Sequence, residues 1–367
     1  MSAARPASLR NPAVACALLA ALLATTPAAA ADYPAPVEGD YAIHDFHFAS
    51  GETLAELRIH YRTLGTPRAD ARGVVRNAVL IMHGTTGSGA QFIRAEFAGE
   101  LFGPGQPLDA RRFYLVLPDG IGHGKSSKPS DGLHAHFPRY GYNDMVQADY
   151  LLLTQGLHVN HARLVMGTSM GGMHTWLWGE QHPDFMDALM PLASLPTQIS
   201  GRNRVWRRTV IDAIRGDPAW AGGEYRTEPP SLRTALEMLW LMSSNPPLRQ
   251  KEAPTLADAD RVIDEFVAAQ LRSGADANDF LYAVEASHDY DPAPALEKIR
   301  APLLAVNSAD DLINPPELGV LERGIKRVPH GRALVIPYSE RTRGHGSHTV
   351  AALWKDELVG LLRSAER

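Results

Sequence analysis

A serine between glycines, placed where an apolar run meets a helix-like run, constrains the fold of this chain more than any other feature. Ser169 stands in the run Gly-Thr-Ser-Met-Gly-Gly at 167–172, after the apolar run 162–166 and before the run 173–178. A strand, a sharp turn and a helix in this order hold a serine hydroxyl exposed at a helix N-terminus. The glycines two residues before and after Ser169 let strand and helix approach closely. G-x-S-x-G alone is a weak signal, but with both flanks present it predicts a nucleophile turn.

Composition and charge limit the class of protein. The chain has 367 residues, of which 45% are hydrophobic and 21% are charged, so it has enough apolar material for a large core. Its net charge is -5, and the Lys and Arg residues are scattered. Because no basic field is present to attract phosphate backbones or anionic lipid, we expect no nucleic-acid partner.

The N-terminal 31 residues predict a secretory signal peptide. Arg5 and Arg10 precede an apolar run over 13–25, and small residues at 28–31 offer a cleavage site. A membrane anchor is the alternative, but the apolar run is shorter than the ~20 residues of a spanning helix. We therefore expect export to the periplasm or medium, with no membrane attachment after cleavage. Cys16, the only cysteine, falls within this segment, so the mature chain has no thiol nucleophile and no disulfide.

Hydrophobic periodicity predicts an α/β fold. Runs 42–48 and 55–61 alternate apolar and polar residues and are typical of paired strands. Five continuous apolar runs follow that are typical of buried strands, at 78–82, 113–117, 164–166, 303–306 and 333–336. Helical patterns over 143–156 and 170–182 separate some of them. Strands that alternate with helices indicate a mostly parallel sheet covered on both faces.

The regular alternation stops between residues 195 and 293. Helical patterns over 231–242 and 258–271 are separated there by loops with Pro and Gly, and no strand is predicted. We interpret 195–293 as a helical cap inserted into a core domain made of 32–194 and 294–367.

Two later strands end in residues that could activate a serine. The run 303–306 is followed by Asp310 and Asp311, and the run 333–336 is followed by His345 and His348. In open parallel sheets, functional residues gather beyond the carboxyl ends of the strands. The chain order Ser, Asp, His is that of an α/β-hydrolase, although the residues alone do not choose between the two aspartates or the two histidines.

An oxyanion hole is expected from two backbone amides. One is that of Met170, the residue after the serine, and the other comes from the loop after an earlier strand. The run His-Gly-Thr-Thr-Gly at 83–87 supplies that loop, with Thr85 as the preferred donor.

Several motifs together resemble the homoserine O-acetyltransferase-like family of the α/β-hydrolase superfamily. Besides the serine turn and the run 83–87, they are Phe-Pro at 137–138 with Asn-Asp-Met-Val at 143–146, Gln-His-Pro-Asp at 181–184, Asp-Pro at 217–218 and Gly-Gly-Glu-Tyr at 222–225. The resemblance extends from about Phe46 to Leu362. It implies the α/β-hydrolase fold, with a mostly parallel sheet and an inserted helical cap, and acyl chemistry on a small-molecule substrate without a cofactor.

The resemblance also selects among the candidate residues. In the family the carboxylate stands four residues before a proline, which matches Asp311 and Pro315, and the histidine follows a glycine, which matches His345. It implies that Ser169 attacks an acyl carbonyl, that His345 carries the proton and that Asp311 orients the imidazole.

Departures from the family pattern favour hydrolysis over acyl transfer. The transferases have a G-H-D motif whose Asp holds the amino group of homoserine, and here Gly346 replaces that Asp. Arg207 matches the cap arginine that holds the substrate carboxylate, and a solvated or ion-paired arginine is the alternative. The loop 119–127 resembles that of ordinary hydrolases, and an exported protein meets little acetyl-CoA. We therefore expect an exported serine ester hydrolase.

Three other functions remain as alternatives. The first is an O-acyltransferase that uses acetyl-CoA, and the second is a non-catalytic protein that binds a ligand in the cap cleft. The third is a metal site built from the histidine pairs at 44 and 47, 134 and 136, or 345 and 348, although no acidic companion stands at a familiar spacing. We expect no metal, and a homodimer is compatible with the sequence.

Overall fold

Strands and helices alternate along residues 32–366, the part of the chain that the computed structural model describes. The strands are β1 (Val37–His47), β2 (Thr53–Leu64), β3 (Ala78–Met82), β4 (Tyr114–Pro118), β5 (Leu164–Thr168), β6 (Leu189–Leu192), β7 (Leu303–Ser308) and β8 (Gly331–Ile336). The helices are α1 (Ala98–Leu101), α2 (Tyr142–Leu151), α3 (Met170–Gln181), α4 (Gly201–Gly216), α5 (Ser231–Ser243), α6 (Pro246–Glu252), α7 (Leu256–Arg272), α8 (Ala277–Glu285), α9 (Val320–Ile325) and α10 (Lys355–Ser364). The predicted signal peptide, 1–31, lies outside the described residues.

The strands form one mixed sheet in the order β1-β2-β4-β3-β5-β6-β7-β8. The pair β1 and β2 is antiparallel, β2 runs antiparallel to β4, and the six strands from β4 to β8 are parallel to one another. The predicted mostly parallel α/β sheet is thus confirmed. Because the parallel strands share one direction, the loops after β3, β5, β7 and β8 emerge at the same edge.

The sheet is buried on both faces, which explains the continuous apolar strands. In β3 all five side chains are buried, with Leu80 facing one core cluster and Val79 and Ile81 facing the other. Helices α2 and α3 contribute to the first cluster, and α1 and α10 contribute to the second. Since successive strand residues point to opposite faces, a strand covered on both sides must be apolar throughout.

Helices α4 to α8 lie between β6 and β7 in the sequence and form the inserted cap. Their apolar faces share a core that includes Ile214, Leu236 and Phe280, and Ile313 from the loop after β7 joins the same core. The cap is also tied to the loop after β4, because Asp279 of α8 accepts hydrogen bonds from the backbone N–H and the hydroxyl of Ser130. The domain boundaries at 195 and 293 stay a prediction.

One central strand was not predicted from the sequence. Strand β6 has four residues and contains Pro191, which lacks a backbone N–H and is disfavoured in central strands. It is nevertheless fully buried between β5 and β7.

The predicted helix 143–156 is α-helical only to Leu151 and continues as a π-helical turn over Leu152–Gly156. Within the described range, no helix is long and apolar enough to cross a membrane.

We predict that Asp149 makes the stability of the fold depend on pH. Asp149 lies buried on α2, and burial raises the pKa of its carboxyl to about 8. The folded state therefore keeps a proton that the unfolded state releases above about pH 4. Stability should fall by up to about 1.4 kcal/mol per pH unit as pH rises from about 4 to 8. Urea unfolding at several pH values should show a shallower fall for Asp149→Asn.

The exposed Asp260 on α7 provides the matched control. Asp260→Asn should keep the pH dependence of the unmodified protein. An Asp149→Asn protein with an unchanged slope would contradict the assignment of this proton to Asp149.

Candidate active site

Ser169 occupies a strained turn at the junction of β5 and α3. Its backbone has φ 55° and ψ -111°, a conformation that costs a non-glycine residue about 1–3 kcal/mol. The neighbouring glycines allow the turn to close. A Cβ at Gly167 would lie 2.3 Å from the backbone of Gly171, and a Cβ at Gly171 would lie 2.1 Å from the carbonyl oxygen of Met82. These contacts explain why the sequence needs glycine on both sides of the serine.

The imidazole of His345 joins the serine to a carboxylate. His345 Nε2 lies 2.8 Å from Ser169 Oγ, and His345 Nδ1 lies 2.8 Å from Asp311 Oδ2. The three residues follow β5, β7 and β8, so the parallel sheet brings together side chains that are up to 176 positions apart. With Asp311 accepting from Nδ1, Nε2 is free to take the proton of the serine hydroxyl.

Asp311 is held as an oriented carboxylate. Its Oδ1 accepts the backbone N–H groups of Ile313 at 2.8 Å and Asn314 at 3.1 Å, and the Asn314 side chain donates to Oδ2 at 3.1 Å. Burial alone would raise the pKa of Asp311. The charge and hydrogen bond of His345 and the bonds from Asn314 outweigh burial and lower the pKa. Asn314 was not singled out in the sequence, although it stands three residues after Asp311.

The second aspartate and the second histidine occupy different positions. Asp310 accepts hydrogen bonds from the Asn245 side chain, from the Ser308 hydroxyl and from the Gly344 backbone N–H, so it connects the cap to the loop that carries His345. His348 packs edge-to-face on His345 with ring centroids 5.2 Å apart and lines the same cavity.

The two predicted oxyanion donors flank the serine. Met170 is the first residue of α3, and among residues 32–366 neither its backbone N–H nor that of Thr85 has a hydrogen-bond acceptor. The loop that carries Thr85 is pressed against the nucleophile, since a Cβ at Gly84 would lie 3.3 Å from Ser169 Cβ. His83 fixes the loop by donating from Nδ1 to the Gly84 carbonyl and accepting the Gly120 N–H at Nε2.

Arg207 lies in the same cavity, and it has no acidic partner within residues 32–366. It is buried on α4, and its guanidinium donates to the neutral oxygens of Asn203 and Ser287, at 3.2 and 3.3 Å, and lies beside the Tyr142 hydroxyl. It also stacks over the Trp206 ring at 4.7 Å. Burial lowers its pKa, and no carboxylate among the described residues pairs with it. A buried cation without an anion is costly unless a ligand supplies one.

Two buried hydroxyl groups, those of Tyr142 and Thr85, lie near Arg207, and for these two residues the sequence predicted only a role of the Thr85 backbone amide. The Tyr142 hydroxyl lies beside Arg207 and the Thr85 hydroxyl, yet neither hydroxyl makes a well-formed hydrogen bond within the described part of the chain. Burial raises the pKa of Tyr142, so the phenol is neutral. Tyr142 is the first residue of α2 and belongs to no catalytic motif, and only the fold brings it beside Arg207.

One cavity of about 280 Å³ at the interface of cap and core is lined by Ser169, His345, Thr85 and Arg207, together with other residues of both domains. Gly346 lies next to His345, and a Cβ there would meet its nearest neighbour at an ordinary 3.7 Å. Close packing around the Cβ position therefore does not require glycine here. The buried Asp119 of the loop 119–127 bonds to Arg62 and to the backbone N–H groups of Gly89 and Lys125, so its role is to fix loops.

The histidine pairs do not assemble a metal site. Within residues 32–366, no group of three or more His, Cys, Asp or Glu side chains has the arrangement needed to hold a metal ion. His345 instead pairs with Ser169 and Asp311.

Comparisons with known proteins agree with this geometry. A family model described as alpha/beta hydrolase fold matches residues 77–341. The chain is 30% identical over 284 residues to a protein named "Probable acyltransferase" of Methanothermobacter thermautotrophicus, covering 77% of this chain and 85% of that one. It is 30% identical over 317 residues to a homoserine O-acetyltransferase of Haloarcula marismortui, covering 74% and 76%. The solved structure of esterase E22 has the same fold, with a TM-score of 0.78 and 18% identity over 89% of this chain and 100% of that chain.

We predict that Asp311, and not Asp310, controls the reactivity of Ser169. In Asp311→Asn the imidazole loses its carboxylate and adopts the wrong tautomer, so labelling of Ser169 by a fluorophosphonate probe should slow by about 10³ to 10⁴. Asp310→Asn should slow labelling far less, because Asp310 does not contact His345. Both rates are measured by quenching the labelling reaction at a series of times and quantifying the labelled peptide by mass spectrometry. Equal rates for the two variants would contradict the assignment.

Proposed function

Because the chain belongs to the α/β-hydrolase superfamily and, within it, to the homoserine O-acetyltransferase-like family, we propose that this enzyme hydrolyses esters through an acyl-enzyme on Ser169. The observation that carries the proposal is the pair of 2.8 Å contacts that link Ser169 Oγ to His345 and His345 to Asp311. They provide a base within reach of the hydroxyl and a carboxylate that orients it.

The first half of the reaction forms the acyl-enzyme. Ser169 Oγ bonds to the carbonyl carbon of the ester while its proton moves to His345 Nε2. The carbonyl oxygen becomes an oxyanion that the Thr85 and Met170 amides stabilise. The carbon–oxygen bond to the alcohol then breaks, and His345 gives its proton to the departing oxygen.

The second half consumes water. His345 takes a proton from a water molecule, whose oxygen bonds to the acyl carbon through a second oxyanion. The bond to Ser169 Oγ breaks, the proton returns to the serine, and a carboxylic acid leaves. An alcohol in place of this water would give acyl transfer, so the catalytic residues alone do not separate hydrolysis from transfer.

We propose that the substrate carries a carboxylate and lacks an ammonium group near it. Arg207 supplies a buried positive charge, the Tyr142 hydroxyl is a further donor beside it, and the Thr85 hydroxyl is another beside Tyr142. A carboxylate accepts several hydrogen bonds at once and would satisfy these donors together. At Gly346 no side chain is present to receive the amino group that the family's transferases hold with Asp. An ester of 4-hydroxybutyrate, which is homoserine without its amino group, has the matching chemistry.

Acyl transfer is the second candidate function, and the sequence relatives favour it. The relatives that are 30% identical have names that state acyltransfer, whereas the esterase similarity is structural. We favour water as the acceptor because Gly346 provides no carboxylate to hold the ammonium group of homoserine. The proposed export of the chain, based on residues 1–31, also removes it from acetyl-CoA.

The direct test compares acceptors. Purified protein should hydrolyse p-nitrophenyl acetate, and the rate should disappear in Ser169→Ala. With acetyl-CoA and homoserine present, acetylhomoserine should form more slowly than acetate. Faster acetylhomoserine formation would support the transferase instead, and turnover that persists in Ser169→Ala would contradict the nucleophile.

We predict that Arg207 selects for the carboxylate. 4-Acetoxybutyrate should be hydrolysed with a kcat/KM about 10- to 100-fold above that of its uncharged methyl ester, as expected for a hydrogen-bonded charge pair of about 1.5–3 kcal/mol. In Arg207→Met this preference should disappear. Arg202→Met is the matched control, since Arg202 is an exposed arginine on the same helix. A preference that survives in Arg207→Met would contradict this role.

A further inference from the structure

A second cavity, which the proposed mechanism does not use, adjoins the catalytic one. It has a volume of about 490 Å³ and lies between the loops after β3 and β4 and the cap segment 270–283. We call it the β4-side groove. Four residues line both the groove and the catalytic cavity, which are Thr86, Gly87, Gln91 and Gln270. A substrate that passes this boundary would occupy both spaces.

The boundary is built from one glutamine of the core and one of the cap. Gln91 is fixed from the core side, because its Nε2 donates to Thr168 Oγ1 at 2.9 Å and its Oε1 faces Gly87. Gln270 approaches from α7 of the cap. Both are uncharged and can hydrogen-bond, so a neutral chain can pass between them without burying an unpaired charge.

The sheet order decides which half of an ester enters the groove. Ser169 follows β5, whereas Asp311 and His345 follow β7 and β8 on one side of it. The groove includes Gly122 and Lys128 of the loop after β4, which lies on the other side. The departing alcohol oxygen must lie within reach of His345 Nε2 to receive its proton. The alcohol therefore occupies the His345 side, and the acyl chain points toward the groove.

The lining of the groove indicates the chemistry of that chain. Its cap wall contains the buried apolar side chains of Leu236, Phe280 and Ala283, against which methylene groups would pack. Four charged residues also line the groove, namely Arg94, Lys128, Asp276 and Asp279. Two are positive and two are negative, and Lys128 pairs with Asp279 at 3.1 Å. Because the charges that line the groove cancel, they favour an uncharged polar group over an anion or a cation.

We infer that the β4-side groove is an acyl subsite for chains longer than acetyl that end in an uncharged polar group, such as a hydroxyl. This inference rests on the proposed ester hydrolysis at Ser169 and names its acyl substrate class. The reaction steps are unchanged, because the groove contacts the acyl chain and not the reacting atoms. Apolar contact with the cap wall provides affinity for the chain, and the polar residues that line the groove provide selection at its end.

The test compares three p-nitrophenyl esters, which share one leaving group and differ in the acyl chain. The kcat/KM should rise from acetate to hexanoate by at least about tenfold, since each buried methylene contributes about fourfold. It should rise again by about two- to tenfold for 6-hydroxyhexanoate, as expected for one net hydrogen bond. Acetate as the best ester would overturn the subsite, and equal values for the two six-carbon esters would overturn the selection for a polar end.

Variants locate the effect in the groove. Ser273→Trp fills the groove from the exposed end of α7 and should lower the ratio of hexanoate to acetate kcat/KM by at least about tenfold. Ala90→Phe fills it from the core side and should act in the same direction. Ala269→Trp is the matched control, because Ala269 is exposed on α7 but does not line the groove. An unchanged ratio in both groove variants would overturn the inference.

A binding measurement separates this inference from the proposed hydrolysis. In Ser169→Ala protein, which does not turn over, methyl 6-hydroxyhexanoate should bind more tightly than methyl acetate by calorimetry. Adding Ser273→Trp should remove that difference. If the unmodified protein does not hydrolyse esters but this binding difference is present, only the proposed function is contradicted. If the two esters bind equally, only the acyl subsite in the groove is contradicted.

Discussion

The two hydrogen bonds of the His345 imidazole are the interaction on which the rest of this structure depends. They connect Ser169 and Asp311, which reach the site on different loops at one edge of the sheet. The parallel order of β5 to β8 fixes the separation of those loops. Burial would favour a protonated Asp311, but its bonds to His345 and Asn314 keep the pKa of the carboxyl below its ordinary value. The local network therefore supplies the charge that the imidazole needs.

The strained backbone of Ser169 and the buried charge of Arg207, which no carboxylate of the described chain neutralises, are both costly and are both held in place by their surroundings. The turn at Ser169 persists because the glycines let β5 and α3 touch and because backbone bonds hold it, including one from the Ser169 N–H to the Leu192 carbonyl. Arg207 persists as a buried cation because Trp206 stacks on it and neutral oxygens accept its N–H groups. The core thus positions the nucleophile, and the cap supplies substrate recognition. Substrate selection can change in the cap while the nucleophile turn stays the same.

The sequence predicted those parts of the site that local patterns encode. The turn at Ser169 has a motif, and β3, β7 and β8 are apolar runs whose ends were found within two residues. Strand β6 was missed because Pro191 opposes strand formation locally, and only its burial between two parallel strands overrides that preference. Tyr142 and Gln91 carry no motif, and their roles arise from packing between segments distant in the chain. Asp310 and Asp311 differ by one position, so the resemblance to a family was needed to separate them before the side-chain directions were known.

If His345 and Asp311 activate Ser169, the serine becomes covalently acylated during turnover. The most direct measurement is rapid acid quenching of the protein during turnover of p-nitrophenyl acetate, followed by peptide mass spectrometry. One acetyl group is expected on the peptide that contains Ser169, and none is expected when His345 is replaced by alanine. An acetyl group on another residue, or steady turnover with no acetylated peptide, would contradict activation of Ser169 by His345 and Asp311.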